Sequence, residues 1–199
     1  MTSERKEKLT RVLQHRQADI TVVFENVEDP HNIAAVLRTC ESAGIQDVYI
    51  LNDASPSHSK LGKNLGAKTS SSAWKWLTIY YYDNLENCIR DLRKEGYKLM
   101  ATSLSAEAVD LYEVDFTQKT ALVFGNEHNG VSDELLHLCD GNFLIPQVGI
   151  IRSLNISVAC AISIYEAFRQ KRMAGHYEKT RLPDDKINRL KKEWGLNDE

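Results

Sequence analysis

Several features that would narrow function at once are missing from this sequence. No apolar run approaches the roughly 20 residues needed to cross a bilayer, and the opening MTSERKEKLTRVLQHRQ is too charged to hold the apolar centre of a secretory signal. No membrane association and a cytoplasmic location are therefore expected. Cysteine is scarce. Cys40, Cys88, Cys139 and Cys160 form no C-x-x-C pair, and His137 beside Cys139 is too little for a zinc site, so buried, reduced thiols and no metal are expected. The histidines have no metal-ligand spacing, and no serine has a histidine and acid partner that sequence can establish. No G-x-G-x-x-G follows the first apolar run, which removes the usual dinucleotide turn. In GNEHNGVS, Val131 stands where a phosphate-binding loop needs lysine, which removes an NTPase. Repeats and low-complexity runs are absent.

Strong net charge is missing too, since 25 basic and 28 acidic side chains leave −3 over 199 residues. Its distribution is uneven. Residues 1–17 carry five basic side chains (Arg5, Lys6, Lys8, Arg11, Arg16) against two acidic ones, and residues 169–192 carry nine, among them Arg169, Arg172, Lys191 and Lys192, against three. Such ends are either solvated helix faces or two arms that hold a polyanion by its phosphates. A chain of this length with 42% hydrophobic residues buries one real core, so a central domain over 18–168 with helical extensions over 1–17 and 169–199 is expected.

What is present centres on 120–160, TALVFGNEHNGVSDELLHLCDGNFLIPQVGIIRSLNISVAC. Ala121 to Phe124 has the look of a strand buried on both faces, followed by a polar loop bracketed by Gly125 and Gly130, with Ser132 placed to cap a short helix. Phe143 to Ile145 repeats the plan, with Pro146 and Gly149 in the turn and Ser153 and Asn155 before a long helix. Two such loops at strand ends would face one crevice, where open α/β sheets bind ligands.

Upstream, Ser3 to Arg16 has the stripe of an amphipathic helix through Leu9, Val12 and Leu13. Ile20 to Phe24 is a β-branched strand, and Asp29-Pro30 marks a turn. Asn32 to Ala43 forms a helix with Asn32 as its cap, and Asp47 to Leu51 a second strand. Asn52 to Ser72 has the composition of a mobile loop with a short helix around 60–66. Trp76 to Tyr80 fits an edge strand, Leu85 to Glu95 a helix, and Lys98 to Thr102 a strand ending in Ser103, Leu104 and Ser105. Tyr80 to Tyr82 and the tryptophans are expected to pack rather than to stack on bases. Arg38, near the apolar stripe of its helix, could snorkel to the surface or point into a cleft. Neutral polar groups with Glu127 and Arg38 as chargeable partners suit alignment of a reactive cofactor more than hydrolysis.

These residues carry a resemblance. NIAAVLR (32–38), ALVFGNEHNGVS and IPQVGIIRSLNISVA resemble, in that order, the three motifs of the SpoU branch of the SPOUT methyltransferases. The flanks RQADITVVFENVEDPHNIAAVLRTCESAG and KRMAGHYE resemble the members that methylate the 2′-hydroxyl of the D-loop guanosine at position 18 of tRNA. The resemblance implies a parallel α/β sheet flanked by helices, with a deep trefoil knot at about 120–160, and a homodimer with its active site at the subunit interface. It implies S-adenosylmethionine held by the loops after Thr102, Phe124 and Ile145, through Leu104, Gly125, Ile145, Ser153, Leu154 and Asn155. It assigns catalytic or pocket-shaping roles to Arg38, Asn32, Glu127, Ser153 and Asn155. The RNA would be gripped by Arg5, Lys8, Arg11, Arg16, Arg169, Arg172, Lys191 and Lys192. Methylation of another tRNA site or of ribosomal RNA, and a catalytically silent RNA-binding module, are the alternatives.

Overall fold

A computed structural model describes residues 1–53, 73–151 and 153–196. Seven strands form one sheet: β1 (Ile20–Glu25), β2 (Asp47–Leu51), β3 (Thr78–Tyr82), β4 (Lys98–Thr102), β5 (Val109–Asp110), β6 (Thr120–Phe124) and β7 (Gly141–Leu144). All pairings are parallel, in the order β3-β2-β1-β6-β4-β7-β5. Every residue of β1, β2 and β6 is buried, because helices cover both faces, as a parallel sheet requires.

Alternation along β1 shows how the faces divide. Ile20, Val22 and Phe24 join Ile33, Val36, Leu37 and Cys40 of α2 (Pro30–Ser42) and Cys160, Ile164 and Ala167 of α5 (Ile156–Met173). Val23 faces the other way, with Leu85, Cys88 and Leu92 of α3 (Leu85–Lys94) and Leu135 of α4 (Asp133–Leu138). The strand expected at 76–80 begins two residues later, because Ala73–Trp76 closes a 3-10 turn first. It is an edge strand, as expected, and Tyr80 and Tyr82 stack on Tyr49. The mobile loop with a helix expected over 52–72 lies almost wholly outside the described residues. The four cysteines are free, three of them buried, and burial pushes even the Cys139 thiol up to about 12, which disables it as a nucleophile.

The terminal helices are not independent arms. Leu9 and Leu13 of α1 (Ser3–Gln14) share an apolar cluster with Leu182, Leu190, Trp194 and Leu196 around α6 (Asp184–Glu193), and Trp194 meets Trp76 edge to face at 5.4 Å. Arg16 joins this cluster to the sheet. Its guanidinium is fully buried over the Trp194 ring and donates to the carbonyls of Ile45 (3.0 Å) and Trp76 (3.3 Å) and to the Glu41 carboxylate (3.2 Å). Two other basic residues near the C-terminus are spent internally, Lys171 on Asp19 (3.2 Å) and Lys186 on Asp47.

Replacing Arg16 by Ala strips the Glu41 carboxylate of its donor, leaves the Trp76 carbonyl to Gln46 alone and removes the platform under Trp194. It is expected to lower the unfolding free energy by about 3 kcal/mol, the scale for breaking a buried ionic contact, measured by urea denaturation.

Candidate active site

The loops at the C-terminal edge of the sheet converge as the strand order dictates, since β6 lies between β1 and β4, and β7 between β4 and β5. The loop after β6 is anchored at both ends. A Cβ on Gly125 would stand 2.0 Å from the Gly130 carbonyl, so only glycine allows the chain to close on itself there. Asn126 accepts from the His128 amide (2.9 Å) and donates to the carbonyl of Asn26 (2.8 Å), just past β1. Ser132 caps α4 through the Leu135 amide (3.2 Å) and gives its own amide (2.8 Å) and hydroxyl to the Glu25 carboxylate. The turn thus hangs from the end of β1 at two points and presents Glu127 outward.

Asn32 does not cap α2. Asp29 does, accepting from the His31 amide at 2.8 Å, with Pro30 at the first helical position, where its missing N–H costs nothing. Freed from capping, the Asn32 amide donates to Glu127 Oε1 (3.0 Å) and accepts from Asn155 Nδ2 (3.1 Å). Asn155 caps α5, its oxygen accepting from the Ser157 amide (2.9 Å) and hydroxyl (2.6 Å). The helix N-terminus therefore fixes which way every amide points, since Asn155 oxygen must face Ser157 and its nitrogen must face Asn32. The relay ends on Glu127, whose charge strengthens the last bond.

The neighbouring loops supply the rest. Thr102 donates to the Val123 carbonyl (3.4 Å), the Ser103 amide to Phe143 (3.1 Å), and Leu104 stands two-thirds exposed at 67%. Ile145 is half-buried against the core, and Ser153 and Leu154 are exposed on the approach to α5.

Arg38 is held elsewhere. It is exposed on α2 and opens into a groove of about 920 Å³ shared with Arg5 and Lys8 of α1 and Tyr165 of α5, and none of Asn32, Glu127 or Asn155 lines it. A single chain thus brings the basic face of α1 to Arg38 but does not bring Arg38 to the amide relay. Arg11, Arg172, Lys191 and Lys192 are exposed, and Arg169 is exposed but clamped by Glu166 at 2.8 and 2.7 Å. Arg16 is corrected from the expected RNA contacts. A fully buried guanidinium engaged by protein acceptors has no face left for a phosphate.

Sequence reasoning missed Glu25, since the expected strand stopped one residue short of it at Phe24. Its signal was a carboxylate closing a β-branched run, a charge at the end of a buried strand. Among the described residues, no group of three or more His, Cys, Asp or Glu is placed to hold a metal, and no helix is long and apolar enough to cross a membrane.

With this geometry in place, comparison with known proteins identifies the class. The SpoU rRNA Methylase family model matches residues 19–165, and the chain belongs to that family. Among particular relatives, it is 38% identical over 193 residues to the tRNA (guanosine(18)-2′-O)-methyltransferase of Thermus thermophilus, covering 97% of this chain and 96% of that one. The Escherichia coli enzyme of the same name is 34% identical, covering 98% of this chain and 83% of that one. The crystal structure of the Aquifex aeolicus TrmH/SpoU tRNA modifying enzyme superposes with a TM-score of 0.82 at 34% identity, over 96% and 94% of the two chains. A 23S rRNA (guanosine-2′-O-)-methyltransferase from Xanthomonas campestris is 37% identical, over 76% of this chain and 59% of that one.

Burial raises the Glu25 pKa above its usual 4.5, against the opposing hydrogen bonds from Ser132. A carboxyl that holds its proton more tightly when folded stabilises the protein below the unfolded value and loses that contribution as pH rises through the folded one. Against Glu25→Gln, the wild type should therefore lose stability as pH climbs from about 4 towards neutrality, read as diverging urea midpoints.

Proposed function

We propose that this protein transfers a methyl group to a ribose 2′-hydroxyl of tRNA, and that its target is the D-loop guanosine at position 18. The observation that carries the reading is the near full-length match to tRNA (guanosine(18)-2′-O)-methyltransferases, at 97% and 98% of this chain. The ribosomal relative reaches only 76%, and Arg5 and Lys8 of the terminal helix stand beside Arg38, where a folded RNA must be gripped by its phosphates.

The three-loop crevice suits S-adenosylmethionine on its own chemistry. Leu104 and Ile145 offer apolar contact for an adenine, Gly125 lets the loop fold back on itself beside them, and Glu127 gives a carboxylate for a cation. When bound, the cofactor supplies an electrophilic methyl group. Ser153, Leu154 and Asn155 close the crevice, while Thr102, Leu104, Gly125 and Ile145 hold the nucleoside part. A 2′-hydroxyl is a poor nucleophile at neutral pH and needs its proton shared as it attacks. Arg38, permanently charged, pairs with a substrate phosphate to orient the hydroxyl and stabilises the negative charge that develops on oxygen.

The same reading includes a homodimer and the knot. α2 packs beside α5, Val158 of α5 is exposed, and so are Val148, Ile150 and Ile151 of the segment before it, apolar groups for a second copy to cover. A second copy laid there would bring one subunit's Arg38 to the other's amide relay. The insertion of β6 and β7 between earlier strands supports threading of about 120–160 as a trefoil knot. A silent RNA-binding module would not need the joined Asn32, Glu127 and Asn155.

Incubation with unmodified tRNA transcripts and methyl-labelled cofactor should label the ribose of that D-loop guanosine. Label on another nucleotide or only on ribosomal RNA would move the target, and cofactor binding without label on any RNA would leave the silent module. Arg38→Ala should cut kcat about 100-fold or more with cofactor affinity unchanged. Alanine at Arg5 or Lys8 should raise KM for tRNA and reduce the slope of log binding against log salt by about 1 each.

A further inference from the structure

The groove that holds Arg38 contains a carboxylate that methyl transfer does not use. Glu41 follows Arg38 by three residues, so both project from neighbouring positions on α2 into the same space. It is the one acidic residue among the described residues lining a groove that also carries Arg5, Lys8 and Arg38. A free carboxylate there would repel the phosphates that those cations attract, unless it meets hydrogen-bond donors instead. Its position is fixed: Oε1 accepts from the buried Arg16 at 3.2 Å, and Arg16 is itself pinned by the carbonyls of Ile45 and Trp76. Its other oxygen has no hydrogen bond among the described residues, and the side chain is 32% exposed. Trp76 and Tyr165 add aromatic walls to the same groove, Tyr165 being held by the Ser42 hydroxyl at 3.2 Å.

We propose that Glu41 selects guanine at the methylated position, accepting the N1–H and the 2-amino group of the base while Arg38 attends to its ribose. This rests on the reading of the protein as a guanosine 2′-O-methyltransferase. Of the four bases, guanine alone places two adjacent N–H donors on its Watson–Crick edge, and a carboxylate is the side chain that accepts two donors side by side. Adenine and cytosine would set a ring-nitrogen lone pair against the carboxylate, and uracil would flank its single N–H with carbonyl oxygens. Arg16, which already donates to Oε1 of the carboxylate, is the positioning residue that keeps it from turning towards Arg5 or Lys8.

The test compares tRNA molecules assembled with guanosine, inosine or 7-deazaguanosine at the target, each assayed for kcat/KM with wild type and Glu41→Gln. Inosine lacks only the 2-amino group, and the wild type should methylate it about 10-fold to 100-fold more slowly, the scale for one lost directional contact to a base. 7-Deazaguanosine keeps the whole Watson–Crick edge and should react like guanosine. In Glu41→Gln the guanosine-to-inosine ratio should collapse towards one, whereas a merely structural role would lower both rates and leave the ratio intact. Equal wild-type rates on guanosine and inosine, a 7-deazaguanosine penalty as large as that of inosine, or an undiminished ratio in Glu41→Gln would each overturn the assignment. The first two need no variant to fold. Failure of the wild type to methylate the guanosine transcript at all would instead overturn the reading on which the assignment rests.

Discussion

Burial of both faces of the parallel sheet is the constraint on which the rest depends. Once α2 and α5 cover one face and α3 and α4 the other, polar loops have their natural place at the strand ends. Parallel strands that all run one way deliver the loops after β4, β6 and β7 to the same edge. The amide relay from Asn155 through Asn32 to Glu127 is what that convergence makes possible, since its members lie 95 and 123 residues apart in sequence. The relay also draws on the α5 N-terminus, so the helix that seals the core sets the polarity of the site.

Much of this was legible in the amino-acid sequence because it rests on local chemistry. The β-branched runs, the glycines around 125–130 and the Ser132 cap announce themselves through propensity and turn preference. The six longer strands and most helices fall within a few residues of expectation. The two-residue β5 did not, being too short to leave a period. Asn32 was placed one turn from its role because Asn is a good cap in isolation, and the competing Asp29-Pro30 pair won by combining an acceptor with a preset φ. Glu25 was missed and Arg16 misplaced for a shared reason. Both are charged groups in buried positions, and their partners lie 107, 25 and 60 residues away, beyond what spacing can show.

Charge follows the same rule. The basic ends suggested arms reaching for RNA, yet Arg16, Lys171 and Lys186 turn inward to Glu41, Asp19 and Asp47. The cations that remain outward are fewer, and those of α1 are better placed, because the apolar cluster of Leu9 and Leu13 holds the helix beside the groove containing Arg38. Counting charges finds the polyanion-binding candidate; burial decides which charges are free to serve it.

The closure of the two ends upon each other bears on how the chain is made. Leu9 and Leu13 are made before the central sheet, but Leu190 and Trp194, which share their cluster, are made after it. The backbone carbonyl of Arg16 likewise waits for Thr180, 164 residues downstream. Contacts of such separation form late. α1 is thus made before the residues that seat it, and during translation its leucine stripe stays uncovered until the α6 cluster has followed the central sheet. The wall that α1 gives the groove containing Arg38 is therefore set only once the α6 cluster has been made, and a chain cut before α6 would carry the sheet without that wall.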